Sequence, residues 1–412
     1  MAETNQDPLR AFFDVREEQL GGAQPFDGGE HLWVGNAGAL KAATKRKAGP
    51  FGPFQRSKSP EHLTYGEIVA FSGDFYGSPE ELFDETPSPL PWLREANDLD
   101  DLLKALRNEA AWINLPPAQR GTQYPDQNLV LWWNAKQYSE LALQNTPHFG
   151  WHNALVYARH HEAALKLAVQ AAQEPSRAKQ ELLWRQAVYT NGFADHFLTD
   201  GFSAGHVRAP AAQIRRWAEQ AGMNKKLAGV LIKVIHDQDG HIHELHSKAD
   251  HSARTGGLHV VNALKQEWHT RCDGQLFLTG PADASVETAV EAVADSVEEL
   301  LSAYQEQKIP QGVFAATRRL PWPHPDEPAL ITKFPADIDR VKVEALYDSI
   351  RWYLLLPVLG ANARPEHIEK CCAHLPQLME DFRDDVTKQV AKEPALIARL
   401  APEYVAAYQA IR

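Results

Sequence analysis

Cysteine and methionine are both scarce in this chain of 412 residues, which has three of each. The cysteines are Cys272 and the adjacent pair Cys371 and Cys372. An odd number with no Cys-x-x-Cys spacing argues against a disulfide framework and against a cysteine zinc knuckle. Cys371 and Cys372 read as buried thiols on a helix. Long apolar runs are also missing. No stretch approaches the ~18 apolar residues of a membrane span, so no transmembrane segment is expected. Residues 1–20 are polar and acidic without an apolar core, so no Sec leader is expected. The product is expected to be cytoplasmic as synthesised, with a signal-independent export route left open. An excess of positive charge is lacking too: the formal net charge is −12. Such a chain repels polyanions overall, which disfavours nucleic acid as a partner. Residues 45–60 are the one local exception, rich in Lys, Arg, Gly and Pro. They read as a solvated connector or, alternatively, as a surface for transient contact with anionic lipid.

What is abundant is histidine, with 18 residues, a balance that favours metal chemistry. Apolar periodicity predicts an all-α chain. Helices are expected from Glu30, over 64–72, from Ser78, and over 98–114, 130–145, 151–173 and 176–199. Further helices are expected over 213–238 with a break at Gly222, over 285–307, and over much of 337–412. Thr64 and Glu67 have capping-box spacing, and Pro79 follows Ser78 at a first helical position. Residues 116–128 read as a loop and 258–262 as a short strand. The Pro-rich, unperiodic stretch 310–335 marks a boundary. It separates a catalytic region, 1–310, from a C-terminal helical region, 311–412, of unknown role.

The residues with metal-binding chemistry sit at element ends. His196 and Asp200 are four apart and share a helix face. His206 follows a break expected at Gly201 and Gly205. Imidazole, carboxylate and imidazole form a zinc-type donor set. His31 opens a helix, Asp74 ends one against the dipole, and His148 lies in a turn. His236, His241, His243, His246 and His251 are clustered among Asp237, Asp239, Glu244 and Asp250.

The order His31-Leu32-Trp33, Asp74, His148-Phe149, then His196-x-x-x-Asp200-x5-His206 resembles the zinc-dependent phospholipase C/P1 nuclease superfamily. It looks closest to bacterial phosphatidylcholine-hydrolysing zinc phospholipases C that lack signal peptides. The resemblance is carried by residues 64–77, 194–208, 236–239 and 257–262, and it spans roughly 28–310. It implies a multi-helix all-α catalytic core holding two to three zinc ions in one cleft. Asp74, His148, His196 and Asp200 are the implied ligands of one zinc. Asp200 is implied to bridge to a second zinc, held also by His31. His206 is implied to begin a third site, completed by His236 with Asp239, or with Asp237. The alternative pair is His246 and Asp250. The superfamily's secreted members bring an N-terminal Trp to the zinc shared with His31. No Trp precedes Trp33 here, which leaves Asp14, Glu17 or Asp27 as substitutes.

Zinc lowers the pKa of bound water to ~7 and offsets charge on phosphoryl oxygens. The resemblance gives Asp74 a role in orienting the attacking water or acting as general base. Second N–H groups of the ligand histidines are expected on a carboxylate, with Asp195 and Asp237 as candidates. The aromatic rings of Phe75, Tyr76 and Phe149 lie next to ligand positions in sequence. They fit a trimethylammonium group through cation–π contact, a stacked nucleobase, or simple core packing. Arg208 reads as a phosphate contact or an ion-pair partner. The expected activity is phospholipase C hydrolysis of phosphatidylcholine-type lipids to diacylglycerol and phosphocholine. The alternatives are a P1-like nuclease or other phosphodiesterase, and a non-enzymatic helical binding or toxin-like protein with structural zinc.

Overall fold

The computed structural model describes residues 28–85, 99–115, 119, 141, 146–239, 257–271, 276, 283–354 and 362–412. The lead-in with Asp14, Glu17 and Asp27 lies outside these residues. So do nearly all of the expected loop 116–128 and of the expected helix 130–145, Cys272, and the pair His246 and Asp250.

The described chain is predominantly helical. Helix α1 (Gly28–Lys45) is followed by strands β1 (Phe54–Gln55) and β2 (His62–Leu63), which pair antiparallel. Helix α2 (Tyr65–Phe71) starts where the sequence predicts it. Thr64 Oγ1 accepts from Glu67 N (3.3 Å), and Thr64 N donates to Glu67 Oε2 (2.8 Å). Helix α3 (Pro79–Asp84) is capped by Ser78, with Pro79 in its first turn. Helix α4 is Leu99–Asn114. Helices α5 (Trp151–Gln173) and α6 (Arg177–Asp200) form the antiparallel hairpin implied by their short link.

After α6 the chain turns and resumes as α7 (Ala204–Arg208), α8 (Ala211–Gln220) and α9 (Lys225–Asp239). The break between α8 and α9 falls at Gly222 as expected, with φ +73°. Strands β3 (Leu258–Val261) and β4 (Glu267–Thr270) precede α10 (Ala284–Glu306), which Asp283 caps through Ser285 N at 2.9 Å. The remainder comprises β5 (Trp322–Pro323), α11 (Leu330–Lys333), α12 (Arg340–Leu354), α13 (Pro365–Lys392), α14 (Pro394–Ile397) and α15 (Pro402–Gln409). Cys371 and Cys372 are buried on α13, as expected.

Helix α10 packs on α1, α5 and α6, while α2 crosses both α1 and α6. The α1–α2 crossing is fixed by Asn36 Oδ1, which accepts from Gly66 N at 2.8 Å. Beneath it lies a buried polar network. Tyr65 Oη donates to Asp195 Oδ2 (2.6 Å), Ser296 Oγ donates to Asp195 Oδ1 (2.6 Å), and Asn191 Nδ2 donates to Tyr65 Oη (2.7 Å). Together they join α2, α6 and α10 and hold the C-terminal half of α6 in register.

The strand expected over 258–262 is present, but it is the centre of a small antiparallel sheet ordered β4-β3-β5. Its outer strands are two to four residues long, too short for an alternating pattern to announce them. Strand β5 carries the C-terminal region onto this sheet. Tyr408 Oη donates to Val207 O at 2.6 Å, and Phe314 N to Arg399 O at 2.8 Å, tying the last helices to α7 and to the segment after α10.

Candidate metal centre

The end of α6 is the meeting point. Asp200 Oδ2 lies 2.8 Å from His148 Nδ1 and 3.7 Å from His196 Nε2. Its Oδ1 lies 3.5 Å from His31 Nε2 and 3.5 Å from His206 Nδ1. Asp74 Oδ2 is 3.9 Å from His196 Nε2. His31 and His196 are almost in ring contact, with centroids 4.4 Å apart. Each element delivers its ligand from an end or an open turn. His31 comes from the start of α1, Asp74 from the turn after α2, and His148 from the 3-10 turn before α5.

Gly73 makes this approach possible. It has φ +75°, and a Cβ there would lie 2.4 Å from the His196 ring and 2.9 Å from that of His148. Gly205 does not end the helix, as the sequence reading expected. It lies inside α7, where a Cβ would sit 2.2 Å from His236 Cδ2. The bend comes instead in residues 201–203, and the small residue at 205 makes room for the neighbouring imidazole.

Proton placement can be worked out from the partners. Thr199 Oγ1 has one proton, which it shares between Asp195 O and His196 O, each at 2.8 Å. It therefore accepts from His31 Nδ1, 2.6 Å away. His196 Nδ1 donates to Val69 O at 3.1 Å. In the neutral rings both Nε2 atoms then carry lone pairs; that of His31 faces Asp200 Oδ1, and that of His196 lies 3.2 Å from His148 Nδ1 with Asp200 Oδ2 behind it at 3.7 Å. Burial, and then the imidazoles of His31 and His148, hold His196 well below its ordinary value despite the pull of Asp200, so the ring is neutral near pH 7. Burial favours a neutral Asp200, but His148 and His196 beside it keep it ionised well below the usual carboxylate range. Asp200 Oδ2 is buried without meeting hydrogen-bond geometry to any partner, although His148 is close. A proton on His148 Nδ1 can serve either His196 Nε2 or Asp200, and a cation among these buried lone pairs and the anion would stabilise the rest of the arrangement.

No protein-family model, curated protein or solved structure matches this chain. The centre is therefore characterised by its own donor set. Two overlapping groups of potential ligands converge here, His31 with Asp74 and His196, and His148 with His196 and Asp200. A divalent metal ion fits both groups, since each mixes imidazole with carboxylate and each His so oriented has its second nitrogen bonded elsewhere. A small cleft lined by Glu30, His31, Thr199, Asp200 and Arg271 opens beside the cluster.

His206 and His236 lie beside this cluster with ring centroids 4.9 Å apart, and Phe149 packs on both. His236 Nδ1 is 2.9 Å from Asp237 Oδ1, the carboxylate–imidazole pairing typical of metal-binding histidines. Asp239, the other expected partner, is turned toward different groups. Its carboxylate accepts two bonds from Arg208, from Nε and Nη2 at 2.8 Å each, and one from Lys333 Nζ at 2.9 Å. Arg208 is fully buried and also donates to Pro328 O at 2.8 Å. Its guanidinium braces α7 against α9 and the C-terminal region. Phe75 and Tyr76 are buried in the core, and the Tyr76 hydroxyl bonds Glu85. The aromatic rings beside the cluster are Phe149 and Phe197, the latter 4.8 Å from His148.

The supports of the ligands were legible only in part: Asp237, one of the two expected carboxylates, pairs with His236. Asp195, one of the two carboxylates expected to orient them, faces the Tyr65–Ser296 network instead, and burial raises its pKa to about 7. Thr199 and Val69 O do the orienting for His31 and His196. Thr199 lies one residue before Asp200, and that placement was the available signal. Val69 O is a backbone group and leaves no mark in a sequence.

Proposed function

We propose that this chain is a zinc-dependent phosphodiesterase of the phospholipase C type, hydrolysing phosphatidylcholine-type lipids to diacylglycerol and phosphocholine. One observation carries the metal part of the reading: the Nε2 lone pairs of His31 and His196 lie beside a buried, ionised Asp200. The phosphodiester and lipid parts are supported by the ordered motif resemblance and by the acidic charge, which disfavours long polyanionic substrates.

When bound, zinc supplies a Lewis acid and lowers the pKa of a coordinated water to about 7. The chain's own groups divide the remaining work. Asp200 stays anionic and balances cationic charge in a buried site. His31 and His196 are oriented by their second partners, Thr199 and Val69 O, so that Nε2 of each faces the site. Asp74 is the base of this reading. That role comes from the resemblance; in the metal-free chain burial raises the Asp74 pKa against the pull of His148. His31 and Asp200 line the cleft, and Phe197 packs on His148.

The test combines elemental analysis with turnover of a chromogenic phosphocholine ester and of single-stranded DNA. The reading expects bound zinc, ester hydrolysis, and a fall of at least ~100-fold in His196→Ala. Preferential cleavage of DNA would move the assignment to the nuclease alternative. Zinc without turnover, with loss of fold on chelation, would mark a structural metal site.

A further inference from the structure

The small sheet carries a second group of metal-type donors, away from the α6 cluster. On an antiparallel sheet, residues directly opposite share a face. His259 on β3 faces His269 on β4, and Val260 faces Trp268 on the opposite side. Val260 and Trp268 are buried, so the histidines and Glu267 lie on the outer face. Strand β5 pairs Val260 with Pro323, and His324 N donates to His259 O at 2.9 Å, which sets His324 beside His259. The rings stack across all three strands: His259 is 4.8 Å from His269 and 4.2 Å from His324. Glu267 Oε1 lies 3.7 Å from His324 Nε2. One ligand atom from each of His259, Glu267 and His324 falls within 4.8 Å of the others.

We propose that His259, Glu267 and His324 form a second site for a zinc-type divalent ion, which clamps the C-terminal region to the sheet. Two imidazoles and a carboxylate suit such an ion, with water at the fourth position. Zinc bonds of ~2.0–2.2 Å require the ligand atoms to draw somewhat closer, and Glu267 is exposed enough to move. His324 Nδ1 now accepts from Asp326 N at 3.2 Å. In the loaded site that nitrogen carries the ring proton, which faces the Asp326 carboxylate 3.7 Å away. His259 and Glu267 precede α10 and His324 follows it, so one ion cross-links segments separated by that helix and its flanks.

The experiment is equilibrium dialysis of the full chain against buffered Zn2+, followed by elemental analysis and thermal melting. The proposal expects His324→Ala to hold one zinc fewer per chain than wild type and to lose the part of the zinc-induced rise in melting temperature that this site supplies. Glu267→Gln, at an exposed position with little risk to folding, is expected to weaken the same equivalent at least tenfold. His196→Ala is expected to retain it, which separates this site from the α6 cluster. Equal zinc content and equal melting shifts in wild type, His324→Ala and Glu267→Gln would overturn the proposal.

Discussion

Asp200 is the residue on which the centre depends, because both of its oxygens face imidazoles from different elements. Its place four residues after His196 was legible, since helical spacing alone puts them on one face. Its grouping with His31 and His148 came from the motif resemblance, not from spacing, because those residues lie far off in the chain; the approach of His206 to the same carboxylate was not expected. Thr199→Val keeps the side-chain shape and removes the acceptor for His31 Nδ1. That change is expected to weaken zinc retention or turnover by ~10–100-fold with little loss of helix, measured by zinc titration and circular dichroism. Undiminished affinity and rate would show that Thr199 does not set the His31 tautomer. Gly73→Ala places a methyl against His196 and His148 at a positive φ. It is expected to cost about 1–3 kcal/mol in urea denaturation and to abolish turnover.

At the scale of elements, locally encoded features were readable and paired ones were not. Thr64 and Glu67 announce α2 because a capping box is completed within four residues. Strand β5 could not be read, since Pro323 and Trp322 acquire strand character only through pairing with Val260 and Val261. Arg208 shows the same limit. Beside His206 in sequence it suggested a phosphate contact or a surface ion pair; the ion pair is there, but buried, with Asp239 thirty-one residues on. Removing one partner from such a pair leaves an uncompensated charge, so Asp239→Asn is expected to destabilise the fold by about 3–5 kcal/mol in urea. The pH dependence has a definite sign. Burial works to raise the Asp239 pKa, but Arg208 and Lys333 more than offset it and the folded value is lowered. A depressed carboxylate adds stability above its unfolded pKa of ~3.9, and that stability is lost as pH falls through the folded value. The stability gap between wild type and Asp239→Asn should therefore be full at neutral pH and shrink below about pH 4. A gap that grows on acidification would contradict this assignment.

For the whole molecule, the apolar core and the Tyr65–Asn191–Asp195–Ser296 network hold α2, α6 and α10 without help from the ligand side chains. Chelation is therefore expected to abolish turnover while leaving far-ultraviolet circular dichroism nearly unchanged. Loss of helix in parallel with metal would favour a structural role. No described helix is long and apolar enough to cross a membrane. Contact with a lipid substrate, in this reading, is made at a surface. The all-α class was legible from periodicity because long amphipathic helices dominate the described chain. In the proposed centre Asp200 would help to hold a divalent ion and would not be only a hydrogen-bond acceptor for His148. Anomalous scattering measured at the zinc edge from crystals of the zinc-loaded protein tests this most directly. The account predicts anomalous peaks within ~2.0–2.2 Å of the Asp200 oxygens, shared with His31 and with His148 or His196. A zinc-loaded crystal with no peak at Asp200 would contradict it.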